Sequence, residues 1–242
     1  MTVNASGGTG PIEGSATADL IVDSTPPLVS APDVRFVEGS TPGTDSIPLR
    51  LTWSGSDASG TQQYEIGRIV EGGIWTTIGS GGPGTTAATS YGEPNFSYRF
   101  RVRARDLAGN ETTAAGPFVK LRRRPETAPS IDYSAGWTTQ SAGGAYGGWL
   151  RQASAPGADA ALTFTGRAFA WLSPVGPLRG SAEVYVDGVL ARTVELRSAA
   201  GGNSRVVFAI DWPVSTLHTV RIRVVDSPGS DRVDIDELYT LR

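Results

Sequence analysis

Apolar residues in this chain alternate with polar ones in short runs, and no window sustains the 3.6-residue period of a helix. IPLRLTW places Leu49, Leu51 and Trp53 on one face and turns Arg50 and Thr52 to the other. SYRFRVRARD sets Tyr98, Phe100, Val102 and Ala104 against Arg99, Arg101, Arg103 and Arg105 in the same way. A strand with one apolar face cannot bury that face alone. Such segments must pair into sheets, and the sheets must pack on each other. The 31 glycines and 16 prolines supply the turns this requires, and 242 residues suffice for two sandwich-sized units.

Charge and composition narrow the function classes. A net charge of −3 points to neither a polyanionic nor a polycationic partner, so nucleic acid is not expected. Lys120 is the single lysine among 21 basic residues, a bias that reads as genome composition. With 0 cysteines, neither disulfides nor thiolate metal sites hold the chain. Its longest apolar run is far short of the ~20 residues of a membrane span, so no membrane insertion is expected. The opening MTVNASGGTG has no charged n-region and no apolar h-region. Either the protein is cytoplasmic or this is a piece of something longer.

A weak internal repeat favours the second option. Residues 2–27 and 101–126 both run from a strand of small residues through a Gly-rich turn to a second strand and a Pro-bearing segment. Residues 1–24 therefore read as a partial upstream repeat, its last two strands, or else as a Gly/Ser/Thr leader. A first full unit spans 25–124, with further strands expected at Gln62–Val70 and Ile74–Ile78. RRRPETAPS, residues 122–130, reads as a short semi-stiff linker, the boundary proper falling at 125–130. A second unit covers 131–242. Its ALTFTG, AEVYVDGVL and HTVRIRVV alternate, and Asp187-Gly188 between apolar runs is a hairpin signal.

Trp53, Tyr64 and YRFRVRARDLAGN make the first unit similar to a fibronectin type III domain. That resemblance implies a seven-stranded sandwich with the Tyr98 hydroxyl tied to nearby backbone, and no activity of its own. YSAGWTTQ, LTFTG, AWLSPVGPLRG, VYVDG and VDIDEL make the second unit resemble the galactose-binding-like jelly rolls appended to bacterial hydrolases and surface proteins. The expected fold class is thus all-β: tandem β-sandwiches, fibronectin type III-like then jelly roll, preceded by a partial upstream strand pair. The resemblance implies a secreted or cell-surface, non-catalytic region in which a spacer presents a carbohydrate-binding module to a polysaccharide or cell-surface glycan. The alternative is a stalk, filament or adhesin of stacked sandwiches, self-associating through the partial repeat.

Sugar recognition in sandwiches uses exposed rings and a few planar hydrogen-bonding groups. SAGWTTQSAGGAYGGWLRQ offers Trp137, Tyr146, Trp149 and Arg151, and SPVGPLRG adds Arg179. The competing reading makes Trp137 and Trp149 core plugs at the sandwich ends. VDIDEL puts Asp234 and Asp236 on one face, and two such carboxylates repel unless a cation or an arginine lies between them. Related jelly rolls often hold a structural Ca²⁺ near the last strand, which would add Asp132 and Glu237 to the set. Arg232 and Arg223 are the arginine candidates. No other cofactor is expected. Catalysis finds little support: the single histidine, His218, reads as structural, and no GxSxG, HExxH or phosphate-cradling motif occurs.

Overall fold

The computed structural model describes residues 2–4, 15–17, 23–225 and 232–242. Thr2–Asn4 (β1) pairs antiparallel with Ser15–Thr17 (β2); the intervening residues lie outside those described. The chain then passes through Leu28–Val29 (β3), Asp33–Phe36 (β4), Ile47–Thr52 (β5), Gly55–Ser56 (β6), Thr61–Val70 (β7), Thr76–Gly81 (β8), Ala87–Gly92 (β9), Ser97–Asp106 (β10) and Glu111–Ala115 (β11). Val119–Pro125 (β12) leads into Ile131–Tyr133 (β13), Thr138–Ser141 (β14), a 3₁₀ turn at Tyr146–Gly148 and Trp149–Ala153 (β15). Asp159–Val175 (β16), Ser181–Val186 (β17), Val189–Glu195 (β18), Gly202–Val224 (β19), Val233–Ile235 (β20) and Glu237–Leu241 (β21) complete it.

These strands form an all-β fold of packed sheets. β4-β5-β9 and β14-β15-β20 are three-stranded sheets. A sheet of eleven strands, ordered β18-β17-β19-β16-β21-β12-β10-β7-β8 with β11 beside β10 and β13 beside β16, backs them both. Local chemistry accounts for the turns. Asp187 (φ 52°) and Gly188 (φ 85°) take the left-handed geometry of the expected hairpin, closing Val186 onto Val189. The Tyr98 hydroxyl accepts the Glu93 N–H at 2.7 Å and donates to the Glu93 carbonyl at 3.2 Å, the tie the resemblance implied.

Residues 122–125 depart from the linker expectation, while 126–130 are turns between β12 and β13. Residues 122–125 belong to β12, whose start pairs with β10 (Tyr98↔Val119) and whose remainder pairs with β21, from Leu121↔Leu241 to Pro125↔Glu237. An arginine run looks solvated in sequence, but here it lies along a sheet, and the heads of Arg123 and Arg124 find partners. Arg124 donates to Thr240 Oγ1 at 2.8 Å, and the Arg123 guanidinium covers the Tyr146 ring at 4.0 Å. One strand thus joins the two halves into a single sheet.

That sheet is a wall between two cores. Along β16, Phe169 and Trp171 enter the C-terminal core, while Ala168, Ala170 and Leu172 enter the N-terminal one. β21 splits likewise, with Leu238 on one side and Tyr239 and Leu241 on the other. Burial on both faces explains why alternation in ALTFTG gives way to the unbroken apolar run AFAWL. The bend between these halves of β16 falls at Gly166, where a Cβ would stand 2.6 Å from the Leu241 carbonyl oxygen.

Candidate functional site

A cavity of about 510 Å³ opens at the seam between the halves. One lip is Thr41–Thr44, from the loop between β4 and β5. The other is Gly143–Gly147, from the Gly-rich segment between β14 and β15. Leu172, Asn203, Ser204, Asp236 and Glu237 form the floor. Glycine is needed on the second lip: a Cβ at Gly144 would meet Asn203 Oδ1 at 2.8 Å, and Gly147 adopts φ 67°. The Gly144 carbonyl can then accept the Ser204 N–H at 3.2 Å.

Asp236 lies where the chain leaves the small sheet (β20) for the large one (β21). Such a crossing frees backbone groups from ladder pairing, and the Asp236 N–H finds a partner on β16. The Asp236 N–H donates to the Leu172 carbonyl at 3.0 Å, and its carboxylate accepts the Tyr146 N–H at 3.0 and 3.1 Å. Tyr146 in turn donates its hydroxyl to Asp45 Oδ1 at 3.1 Å, so this residue ties the two lips together.

The floor is acidic, and its two carboxylates are buried. Burial pushes the Asp236 carboxyl up to about 6, against the nearby Ser204 side chain and the Tyr146 N–H, which favour its ionised form. Burial likewise lifts Glu237 to about 7, opposed by the Tyr239 hydroxyl and by Arg123. Glu237 Oε2 accepts the Tyr239 hydroxyl at 2.6 Å, and its Oε1 accepts no hydrogen bond, with Arg123 Nε at 3.5 Å as ion-pair partner. Glu126, itself buried and shifted upward by that burial, raises both acids further through space.

The cavity takes in three of the residues singled out from sequence, Tyr146, Asp236 and Glu237. Trp137, expected against a ligand, is buried to 7% exposure and closes the core end instead. Its ring lies 5.3 Å from that of Tyr133, and the Arg151 guanidinium covers the other partner at 5.0 Å from the Tyr133 centroid. This stack is already filled by protein. Trp149 is 51% exposed on β15, outside the cavity lining. Glu237 entered the sequence reading only as a metal ligand, and Asn203, Ser204 and the Thr41–Thr44 loop not at all. A turn that becomes half of a site through folding leaves no local signal.

Asp132, Asp234 and Asp236 do not assemble as a metal set among the described residues. Asp132 is exposed on β13. Asp234, fully buried, is gripped by Arg179 and by Arg232 Nε at 3.1 Å, which makes Arg179 a counter-ion rather than a ligand contact. Burial outweighs both arginines and leaves the Asp234 pKa above its ordinary value. Of the arginines expected there, Arg232 is present, whereas Arg223 pairs with Asp159 at 2.9 Å. Elsewhere Asp23, Asp57 and Asp106 bring carboxylate oxygens within 4.8 Å of one another, a donor set of the kind that suits a hard divalent cation. Asn110 already donates to Asp106 Oδ2 at 2.8 Å and to the Asp23 carbonyl at 3.1 Å.

His218 stacks on Trp212 at 3.7 Å, with Nδ1 at 2.8 Å from Asp187 Oδ2 and Nε2 at 2.8 Å from Thr216 Oγ1. The order is that of a hydroxyl, a base and its orienting acid. The same contacts pin the Asp187–Gly188 turn to β19, together with the Thr219 N–H on Asp187 Oδ1 at 2.8 Å.

No family model matches the chain. An N-acetyl-α-D-galactosamine deacetylase from Flavonifractor plautii, named for A-type blood, is 36% identical over 102 residues; these are 42% of this chain and 13% of that protein. The chain thus spans a small fraction of that relative's length. Among solved structures, a family two carbohydrate esterase from Cellvibrio japonicus aligns over 51% of this chain and 34% of its own, at 18% identity and a TM-score of 0.39. A family 35 carbohydrate-binding module from Clostridium thermocellum aligns over 49% and 98%, at 11% and 0.38. An exo-β-1,3-galactanase from Phanerochaete chrysosporium aligns over 88% and 68%, at 12% and 0.38. At these scores the structural likenesses bear on neither activity nor ligand.

Proposed function

We propose that this chain is a non-catalytic carbohydrate-binding region of a secreted or cell-surface protein, with the seam cavity as its sugar site. The observation that carries this reading is the cavity itself, which falls within the roughly 300–1,000 Å³ of small-molecule sites. Its exposed lining offers polar side chains, the hydroxyls of Thr41 and Thr44 and the amide of Asn203, beside the ring of Tyr146. A hydroxyl-rich ring presents many hydrogen-bonding groups at close spacing, which such a lining suits better than an apolar ligand does. The deacetylase relative, whose name gives N-acetylgalactosamine as its substrate, agrees in ligand class; its activity belongs to a protein of which this chain spans 13%. On this reading the first half is a fibronectin type III-like spacer, the second a jelly-roll module, and the pair raises local concentration on a glycan. Isothermal titration of the full chain against a panel of oligosaccharides tests it. Saturable binding is expected for the parent and a loss of about tenfold or more in Tyr146→Ala, whose ring and hydroxyl shape the cavity. A panel without a single binder would sink the proposal.

A stalk role is the second reading. The large sheet ends on β18 and β8, whose residues are mostly exposed, and open edges invite strand addition. Sedimentation velocity separates the two: a concentration-dependent polymer favours the stalk, a monomer the binding module.

A further inference from the structure

The outer face of the first half carries a charge asymmetry that the net charge of −3 conceals. Arg99, Arg101, Arg103 and Arg105 recur at alternate positions of β10 and leave the face opposite to Tyr98, Phe100, Val102 and Ala104, which enter the core. β12 continues the row. Lys120 pairs with Ser97 and so lies diagonally from Arg99, and Arg122 follows two residues on, while Val119 and Leu121 are buried. Three acids share this face. Glu65 opposite Arg103 and Glu111 opposite Arg105 both reach the Arg103 guanidinium, at 2.9 and 3.5 Å, and exposed Glu71 follows β7. Among the described residues Arg99, Arg101, Arg105, Lys120 and Arg122 have no carboxylate partner. Two of these cations are already oriented. The Arg101 guanidinium lies over the Trp75 ring at 4.7 Å, and Gly67 across the sheet makes the room: a Cβ there would stand 2.8 Å from Arg101 Nε. Arg99 Nε donates to the Gly116 carbonyl at 2.8 Å. Each is pinned at one side, and its terminal nitrogens take no protein hydrogen bond among the described residues. A guanidinium held this way loses little rotamer freedom when it meets a ligand.

We propose that this face of β10 and β12 binds an acidic glycan, a polymer whose ring carboxylates or sulfates seat on Arg99, Arg101, Arg105, Lys120 and Arg122. None of these residues lines the seam cavity, so the inference stands apart from the sugar site above and gives the first half a role beyond that of a spacer. A guanidinium meets an oxyanion through two parallel N–H···O bonds, which favours arginine over a point charge. Cations at alternate positions of a strand stand about 7 Å apart. Such a row suits an extended chain with charges repeated along it better than a compact ligand. Phe118, 43% exposed two residues before Lys120, offers a ring to the apolar side of a sugar. A nucleic-acid duplex would spread its charge over the remainder of the molecule, which is acidic in sum, whereas one glycan strand touches the row alone.

The test titrates the full chain with polygalacturonate, chondroitin sulfate, neutral dextran and single-stranded and duplex DNA, at about 50 and about 200 mM salt. At least one acidic glycan is expected to bind at least about tenfold more tightly than dextran and to weaken as salt rises. Which of the two binds identifies carboxylate or sulfate as the group recognised. Arg101→Gln and Arg105→Gln should each weaken that binding by about three- to tenfold. Arg205→Gln, which removes an exposed arginine from β19 instead, should leave it in place, with thermal denaturation reporting the fold of each variant. Acidic glycans that bind no better than dextran would overturn the inference. Equal losses in all three variants would assign the binding to diffuse charge and overturn it as well. DNA held as tightly as either glycan would make this a general polyanion surface and overturn the glycan assignment.

Discussion

Glu237 and Asp236 are acids that folding removes from water, and the sign of their effect on stability follows from that. Their folded pKa values, about 7 and about 6, exceed the ordinary carboxylate values of 4.5 and 3.8, so the folded chain holds protons that the unfolded chain has released. Their protonation supports folding below the unfolded values, and that support disappears as pH rises through about 6 and 7. Glu237→Gln keeps the shape and removes the charge. It should therefore melt above the parent at about pH 8, by on the order of 2 kcal/mol or roughly 4–8 °C, and converge with it near pH 4. A variant that melts lower at pH 8 would show that the carboxylate stabilises the seam. The two tryptophans make a second residue-scale contrast. Trp137→Ala opens a buried space and should cost about 3–5 kcal/mol in urea denaturation, whereas Trp149→Ala, half exposed, should stay within about 0.5 kcal/mol.

At the scale of elements, the ion pairs around Asp234 fasten β20 to the segment that precedes β17. Arg179 comes from that segment and Arg232 from the residue just before β20, where the Arg232 carbonyl also accepts the Gly180 N–H at 3.0 Å. Trp171 Nε1–H donates to the Asp234 carbonyl at 3.1 Å and adds the shared wall to the same knot. Arg179→Ala leaves a buried carboxylate with one counter-ion and should lose about 2 kcal/mol, read from a urea midpoint. Adding Asp234→Asn to that variant should recover part of the loss, because the stranded charge is gone. If the double variant is no more stable than the single one, packing rather than charge holds β20 in place.

For the whole molecule, the eleven-stranded sheet makes the two halves one cooperative body. Ala168, Ala170, Leu172, Tyr239 and Leu241 belong to the N-terminal core although they sit on C-terminal strands. Contacts such as Arg192 to Glu38 at 2.6 Å and the Gly39 N–H on the Val206 carbonyl at 2.8 Å reinforce the join. Calorimetry on the full chain should give a single unfolding transition. A fragment of residues 127–242 would expose that apolar face and lose β12, so aggregation or a sharply lower melting point is expected. Two well-separated transitions would contradict the shared core.

The alternation in IPLRLTW and SYRFRVRARD, the Asp-Gly hairpin and the Tyr98 tie could be read from the chain alone, because side-chain period and turn chemistry are local properties. Residues 122–125, expected as the start of a linker, lie on β12 instead, since an arginine run carries no mark of the strand that will lie beside it. Trp137 and Arg179 were misassigned because whether a ring or guanidinium faces water depends on partners distant in sequence, Tyr133 with Arg151 for one and Asp234 for the other. The seam cavity was invisible in sequence, its lips lying about a hundred residues apart, as the |i−j| of 101 between Asp45 and Tyr146 shows. Sequence by itself determined an all-β chain of packed sheets. Only the tertiary structure decided that two cores share one wall, and that two acids of VDIDEL would be desolvated at the place where the halves meet.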